Sequence, residues 1–83
     1  SNLPSVKIEK KQLENNVNII DLIIISKTEN SKSEIRRLIK GKAIKINDTI
    51  VPDEKFVINQ ELFTENYLKL SIGKKRHIKV ELS

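Results

Sequence analysis

The chain has 83 residues, of which 16 are basic, 11 are acidic and none is cysteine, and its formal net charge is +5. This length supports one domain with a small core, and the lack of cysteine excludes disulfides and thiolate metal sites. The longest apolar run, Leu22 to Ile25, is far too short to span a membrane, and no signal peptide is apparent, so we expect a cytoplasmic domain that makes no membrane contact.

The first residues are expected to follow another domain. Because the sequence contains no methionine, we expect a piece excised from a longer chain, with residues 1–2 as a vector remnant and residues 3–83 as one domain. Val6 and Ile8 alternate with polar residues and predict a short edge strand. Residues 10–15 are compatible with one helical turn.

Residues 19–26 are ambiguous between a helix and a strand. Their β-branched composition favours a central strand. Asn18 followed by Asp21 three residues later favours a helix, because each side chain can accept a hydrogen bond from the backbone of the other. We predict the helix and keep the strand as the alternative.

Residues 32–40 carry the clearest helical pattern. Ser31 and Glu34 have the spacing of a capping box, and Gly41 is expected to end the helix in the left-handed conformation. An apolar face is predicted to pack on the core, and it consists of Ile35, Leu38 and Ile39. The opposite, basic face consists of Ser33, Arg36, Arg37 and Lys40.

The second half of the chain predicts short strands. Asn47-Asp48 tolerates positive φ and is typical of a tight hairpin turn, and Gly73-Lys74 predicts a second turn. A polar loop or a single helical turn is expected over residues 59–66. The predicted strands cover residues 44–46, 49–51, 56–58, 67–72 and 78–82, with Pro52 ending the second.

Positive charge is concentrated in two windows of the sequence. Residues 27–45 contain seven basic and two acidic residues, and residues 74–79 contain four basic residues and no acid. The rest of the chain therefore has a net negative charge. A field separated in this way can attract a polyanion.

Catalysis has little support in the sequence. The one histidine, His77, is flanked by basic residues and is expected to be a surface strand residue. The two glycines, Gly41 and Gly73, cannot form a phosphate-binding loop or a dinucleotide motif. Asp53-Glu54 is an adjacent pair in a loop, which rarely holds a metal ion. We therefore predict no catalytic, cofactor or metal residues in this chain.

The basic residues predict phosphate contacts with structured RNA. Arginine offers a planar donor fork to phosphate, and the start of a helix has free N–H groups that favour an anion. The alternatives are a solvated basic helix face and, for the second window, a charged edge that prevents aggregation. The candidate RNA-binding residues are Lys32, Ser33, Arg36, Arg37, Lys40, Lys42, Lys45, Lys74, Lys75 and Arg76.

Two motifs carry a resemblance to a known family. Residues 31–51, SKSEIRRLIKGKAIKINDTIV, resemble the RNA-binding domain named after ribosomal protein S-four. The tail YLKLSIGKKRHIKVEL narrows the resemblance to the C-terminal tRNA-binding domain of bacterial tyrosyl-tRNA synthetases. In two places the sequence departs from the family pattern. Lys27-Thr28 replaces the usual Gly-Leu, and Gly41-Lys42-Ala43 replaces a glycine pair.

The resemblance implies a fold and a partner. The fold is α+β, an S-four-like (alpha-L) domain with two to three short helices on a small mixed or antiparallel sheet. The partner is tRNA-Tyr, gripped near its anticodon stem and long variable arm. The parent would be a homodimeric ligase that uses ATP in a separate catalytic domain, whereas this domain would be monomeric and would need no cofactor.

Two other functions compete with tRNA binding. The first is an rRNA-binding domain of an RNA-modification enzyme or a ribosome-associated protein. The second is a protein-interaction module that docks an acidic partner.

Overall fold

The computed structural model describes residues 3–83, so the expectation for Ser1 and Asn2 lies outside the described residues. Within these residues, the chain contains two α-helices, α1 (Ile19–Ile25) and α2 (Lys32–Lys40), and four of the five strands follow them in the sequence. Its strands are β1 (Ser5–Ile8), β2 (Ile44–Ile46), β3 (Thr49–Ile50), β4 (Tyr67–Ile72) and β5 (Arg76–Leu82). Single 3-10 turns at Lys10–Leu13 and Gln60–Leu62 confirm the two predicted turns.

The five strands form one mixed sheet with the order β1-β5-β4-β2-β3. Strand β1 pairs parallel to β5 at one edge, and the other pairs are antiparallel. One sheet face is buried together with the apolar sides of both helices. The α+β prediction is therefore confirmed. In the described part of the chain, no helix is long and apolar enough to cross a membrane.

Helix α1 begins at a complete capping box. The backbone N–H of Asp21 donates to Asn18 Oδ1 at 2.9 Å, and the N–H of Asn18 donates to Asp21 Oδ2 at 3.2 Å. These two bonds satisfy backbone donors that the helix itself leaves free. The helix predicted for residues 19–26 is confirmed over Ile19–Ile25, and the strand alternative is wrong.

Helix α2 begins at only half of the predicted capping box. The N–H of Glu34 donates to Ser31 Oγ at 3.3 Å, as expected. The Glu34 carboxylate does not return to the Ser31 backbone, because it accepts from the Arg37 guanidinium one turn later. The prediction of a reciprocal box was therefore wrong, and the carboxylate belongs to the surface of the helix.

Both helices end in the same motif, and in both a lysine takes the left-handed position. After α2, the N–H of Ala43 donates to Leu38 O and the N–H of Lys42 donates to Ile39 O, which is a Schellman motif. Lys42 has φ +59°, whereas Gly41 has φ −80°, so the prediction for Gly41 was wrong by one residue. Lys27 has φ +59° at the end of α1.

Residues 47–48 form the predicted turn, but residues 56–58 do not join the sheet. Asn47 and Asp48 both have positive φ, at 50° and 68°, as a type I′ turn requires. Val57 makes one isolated bridge with Asn18. The segment is extended, but it pairs with the residues before α1 and not with a strand of the sheet. The strand that its β-branched composition predicts was therefore wrong.

Candidate nucleic-acid interface

The basic face of α2 points away from the core. Ile35 and Ile39 are buried, while Arg36, Arg37 and Lys40 are exposed. The helical phase inferred from the sequence is thus confirmed. Lys32 and Ser33 are exposed in the first turn of the same helix, where the backbone N–H groups lack partners within the helix.

Both arginines of α2 are paired with carboxylates in the free chain. Arg36 Nε lies 2.7 Å from Glu54 Oε2, in the loop that follows β3. Arg37 Nε lies 2.9 Å from Glu34 Oε1, and a second nitrogen of the same guanidinium contacts Glu34 Oε2. Exposed ion pairs of this kind are weak, so a phosphate could replace either carboxylate at small cost.

The Glu34–Arg37 pair changes the acidity of both groups. The hydrogen bond from Arg37 lowers the pKa of Glu34 below its ordinary value, with further lowering by the charges of Arg37 and Arg76. The same bond raises the pKa of Arg37. Both groups are therefore ionised near neutral pH.

The fold brings the two basic windows together. Strand β2, in the first window, pairs with β4, and the N–H of Gly73 donates to Ala43 O at 2.7 Å. The β4–β5 turn therefore lies beside the turn that ends α2. The two turns line a groove of about 440 Å³ that contains Lys42, Lys45 and Lys74. Among residues 3–83, none of these three lysines is in an ion pair.

Arg76 makes a second link between the windows. Its guanidinium donates to the Thr28 carbonyl oxygen at 3.1 Å, in the loop between the helices. Lys75 is exposed beside it and lines a different, more apolar groove with Leu3, Pro4 and Val6. The structure thus links Arg76 to the loop between the helices. Arg76 and Lys75 both line the apolar groove, and neither lines the groove that contains Lys42, Lys45 and Lys74.

His77 supports the β4–β5 turn. Its Nδ1 lies 3.0 Å from Ser71 Oγ, and its Nε2 lies 3.2 Å from the Lys74 carbonyl oxygen. The carbonyl accepts, so Nε2 carries a proton. The ring is half-buried and its two nitrogens are both bonded, which makes it a structural residue of the turn. Within residues 3–83, no three His, Asp or Glu side chains cluster as a metal site would require.

Sequence reasoning missed the cationic residues on the open face of the sheet. Lys7, Lys69 and Lys79 lie on this face together with Lys45, because they alternate with buried or partly buried apolar residues. Apolar and polar residues alternate in YLKLSI and RHIKVEL, and this alternation predicts that Lys69 and Lys79 lie on the open face. That Lys69 and Lys79 are neighbours follows only from the register between β4 and β5, which the sequence does not show.

The chain matches a known family over almost its whole length. The family model described as "Tyrosine–tRNA ligase SYY-like C-terminal domain" matches residues 1–80. A tyrosine–tRNA ligase of Pelagibacter ubique is 60% identical over 81 residues, which cover 98% of this chain and 20% of the relative.

More distant relatives have the same name. Tyrosine–tRNA ligases of Rickettsia felis and of a Wolbachia from Brugia malayi are 45% and 44% identical over 82 residues. This chain spans about one fifth (20%) of the length of each. With the match over residues 1–80, the chain belongs to the family of SYY-like C-terminal domains of tyrosine–tRNA ligases.

Proposed function

We propose that this chain is the tRNA-binding domain of a tyrosine–tRNA ligase. It grips tRNA-Tyr at the anticodon stem and long variable arm, so that a catalytic domain elsewhere in a longer chain can attach tyrosine. The observation that carries the proposal is the junction of the two basic windows. Gly73 is bonded to Ala43 and Arg76 to Thr28, which makes one cationic surface from α2 and the β4–β5 turn.

The surface is suited to phosphates rather than to bases. Lys40, Lys42 and Lys74 supply point charges, and the arginines of α2 supply planar forks once they leave their carboxylates. Base stacking needs exposed aromatic rings. Phe63 is buried, Phe56 is partly buried, and Tyr67, 37% exposed, has Lys79 Nζ only 4.4 Å from its ring centroid. We infer that the domain reads the shape and backbone of folded RNA.

The rest of the parent protein belongs to the same proposal. The parent is a homodimeric, cytoplasmic ligase that uses ATP in its catalytic domain. The domain described here is a monomer that holds no cofactor. The ligase parent is supported by the relatives, which are named tyrosine–tRNA ligases and are about five times longer than this chain.

The test is the salt dependence of tRNA-Tyr binding, measured by fluorescence anisotropy between about 50 and 200 mM salt. About six phosphate contacts would give a log–log slope of several units, by analogy with about −0.9 per contact on duplex DNA. Arg36→Ala and Arg37→Ala should each weaken binding and make the slope shallower. A flat salt response would contradict the proposal.

Two controls separate this function from its alternatives. The double variant Lys10→Gln/Lys11→Gln removes two exposed charges far along the chain from both basic windows and should leave binding nearly unchanged. An rRNA stem at equal salt should bind more weakly than tRNA-Tyr. Equal or tighter rRNA binding would favour a ribosome-associated role, and binding of an acidic protein without RNA would favour an interaction module.

A further inference from the structure

The open face of the sheet carries a band of four lysines, and Lys45 is the member that the proposed function already uses. Residues on this face are the ones whose neighbours along each strand are buried, such as Lys69 between Leu68 and Leu70. The band crosses four strands and consists of Lys45 on β2, Lys69 on β4, Lys79 on β5 and Lys7 on β1.

Two of these lysines face each other directly. Lys69 and Lys79 are cross-strand partners in the β4–β5 register. Like charges at this position repel and destabilise the pairing of the strands. The repulsion is only partly offset, because Asp48 lies 3.1 Å from Lys69 Nζ and Glu81 lies 4.0 Å from Lys79 Nζ. An anion placed over the two lysines would offset the repulsion further.

The band lies on a different face of the domain from the basic face of α2. The helices pack into the core on the buried face of the sheet, so the basic face of α2 and the open face look in different directions. A phosphate backbone lying on the basic face of α2 is therefore on the other side of the core from Lys69. Lys45 connects the two surfaces, because it also lines the groove with Lys42 and Lys74.

We propose that the open face of the sheet is a second phosphate-binding surface, which holds a tract of RNA backbone different from the tract on α2. The proposal rests on the proposed function and deepens it, since a folded RNA with two arms can reach two faces of one small domain. The occupant is a phosphate backbone because lysine ammonium groups supply charge without base-specific geometry.

The experiment is a calorimetric titration of the 83-residue chain with a short RNA duplex at low salt. Wild type should bind two duplexes per chain. The double variant Lys69→Gln/Lys79→Gln should bind one, and Arg37→Gln/Lys40→Gln should also bind one. Lys10→Gln/Lys11→Gln has the same net charge as either variant and should still bind two.

With tRNA-Tyr, the open-face variant should bind several-fold more weakly than the Lys10/Lys11 control, and the salt slope should fall by between one and two units. Circular dichroism checks the fold. If the double variant unfolds, Lys69→Gln and Lys79→Gln are measured singly, and each should lower the slope by about one unit.

The two proposals fail in different ways. If Lys69→Gln/Lys79→Gln behaves as the control does while Arg37→Gln/Lys40→Gln loses binding, the open-face surface is overturned and the proposed function stands. If only the open-face variant loses binding, the open face is supported and the contact on α2 is overturned. If an acidic polypeptide such as poly-glutamate binds the open face and the duplex does not, the RNA occupant is wrong.

Discussion

At the scale of single residues, two lysines occupy backbone conformations that usually belong to glycine. Lys27 and Lys42 both have φ +59° in the motifs that end α1 and α2. A side chain with a Cβ is strained in this region, by roughly 1–2 kcal/mol per residue. Lys42 lines the groove that also contains Lys45 and Lys74, whereas Lys27 does not line it.

Replacing either lysine by glycine should therefore stabilise the fold. We expect Lys27→Gly and Lys42→Gly each to raise the free energy of unfolding by about 0.5–1 kcal/mol, since the gain in the folded state exceeds the added entropy of the unfolded chain. Urea denaturation measures the change. Lys42→Gly should also weaken tRNA-Tyr binding and lower the salt slope by about one unit, and its effect should exceed that of Lys27→Gly, because Lys27 does not line the lysine groove. Equal effects of the two variants on binding would contradict the assignment of Lys42.

Glu34 pairs with the Arg37 guanidinium, which the proposed function assigns to phosphate. The pKa of Glu34 is lowered by the hydrogen bond from Arg37, so the folded chain favours the carboxylate. The contribution of this pair is therefore present above the ordinary pKa of the carboxyl group. It is lost as the pH falls through the lowered value, well outside the range of binding assays near neutrality.

Glu34→Gln should strengthen RNA binding. The change frees the Arg37 guanidinium and removes one negative charge beside it, so we expect a roughly two- to fivefold increase in affinity at low salt. Anisotropy with labelled tRNA-Tyr measures it. Glu14→Gln is the matched control, because Glu14 is exposed and is not paired with either basic window. The same gain in both variants would mean that net charge alone is responsible.

At the scale of elements, Asn47 connects the β2–β3 turn to its surroundings. Its φ is 50°, a conformation that asparagine tolerates better than most residues. The Nδ2 group donates to Leu62 O at 2.8 Å, and the Lys69 N–H donates to Oδ1 at 3.0 Å. One side chain therefore fixes the turn, the end of a 3-10 turn and strand β4.

Asn47→Ala should destabilise the domain by about 1–3 kcal/mol, because it removes two hydrogen bonds and places alanine in a strained conformation. The free energy of unfolding in urea is the measurement. Asn15→Ala, at an exposed position, should change it by less than about 0.5 kcal/mol. A loss in Asn47→Ala no larger than in this control would show that the turn does not depend on the side chain.

The elements also show what the sequence could and could not predict. Signals that lie within a few residues were sufficient for α1, through Asn18 and Asp21, and for the turn at Asn47-Asp48. The strand predicted over residues 56–58 was wrong because local β-propensity does not tell whether a neighbouring strand is available. The parallel pairing of β1 with β5 joins the two ends of the chain, and no local pattern contains it.

The candidate site follows the same rule. The basic face of α2 could be predicted, since helical periodicity and charge are local. The contact between Gly73 and Ala43, which joins the two basic windows, depends on the pairing of β2 with β4. The pairing of Arg36 with Glu54 was also beyond prediction, because the two residues come from different elements.

At the scale of the whole molecule, one small core supports surfaces on two faces. Among residues 3–83, twenty buried apolar side chains form a single cluster, with Leu68, Leu70 and Val80 fully buried at the centre of the sheet. A domain of this size has roughly 4–12 kcal/mol of stability. Both proposed surfaces depend on this core, and strand β4, for example, has Lys69 on the open face and Leu70 in the core.

Leu70→Ala should therefore affect folding and RNA binding together. Truncation of a fully buried leucine costs about 2–5 kcal/mol, a large part of the stability expected for this domain. Saturating tRNA-Tyr should restore stability by mass action, by about 2.7 kcal/mol at 100 times the dissociation constant. Thermal denaturation with and without tRNA-Tyr measures both effects. Ile50→Ala, at a side chain that is 45% exposed, should cost less than about 1 kcal/mol. If tRNA-Tyr did not raise the melting temperature of Leu70→Ala at low salt, the folded domain would not be the species that binds.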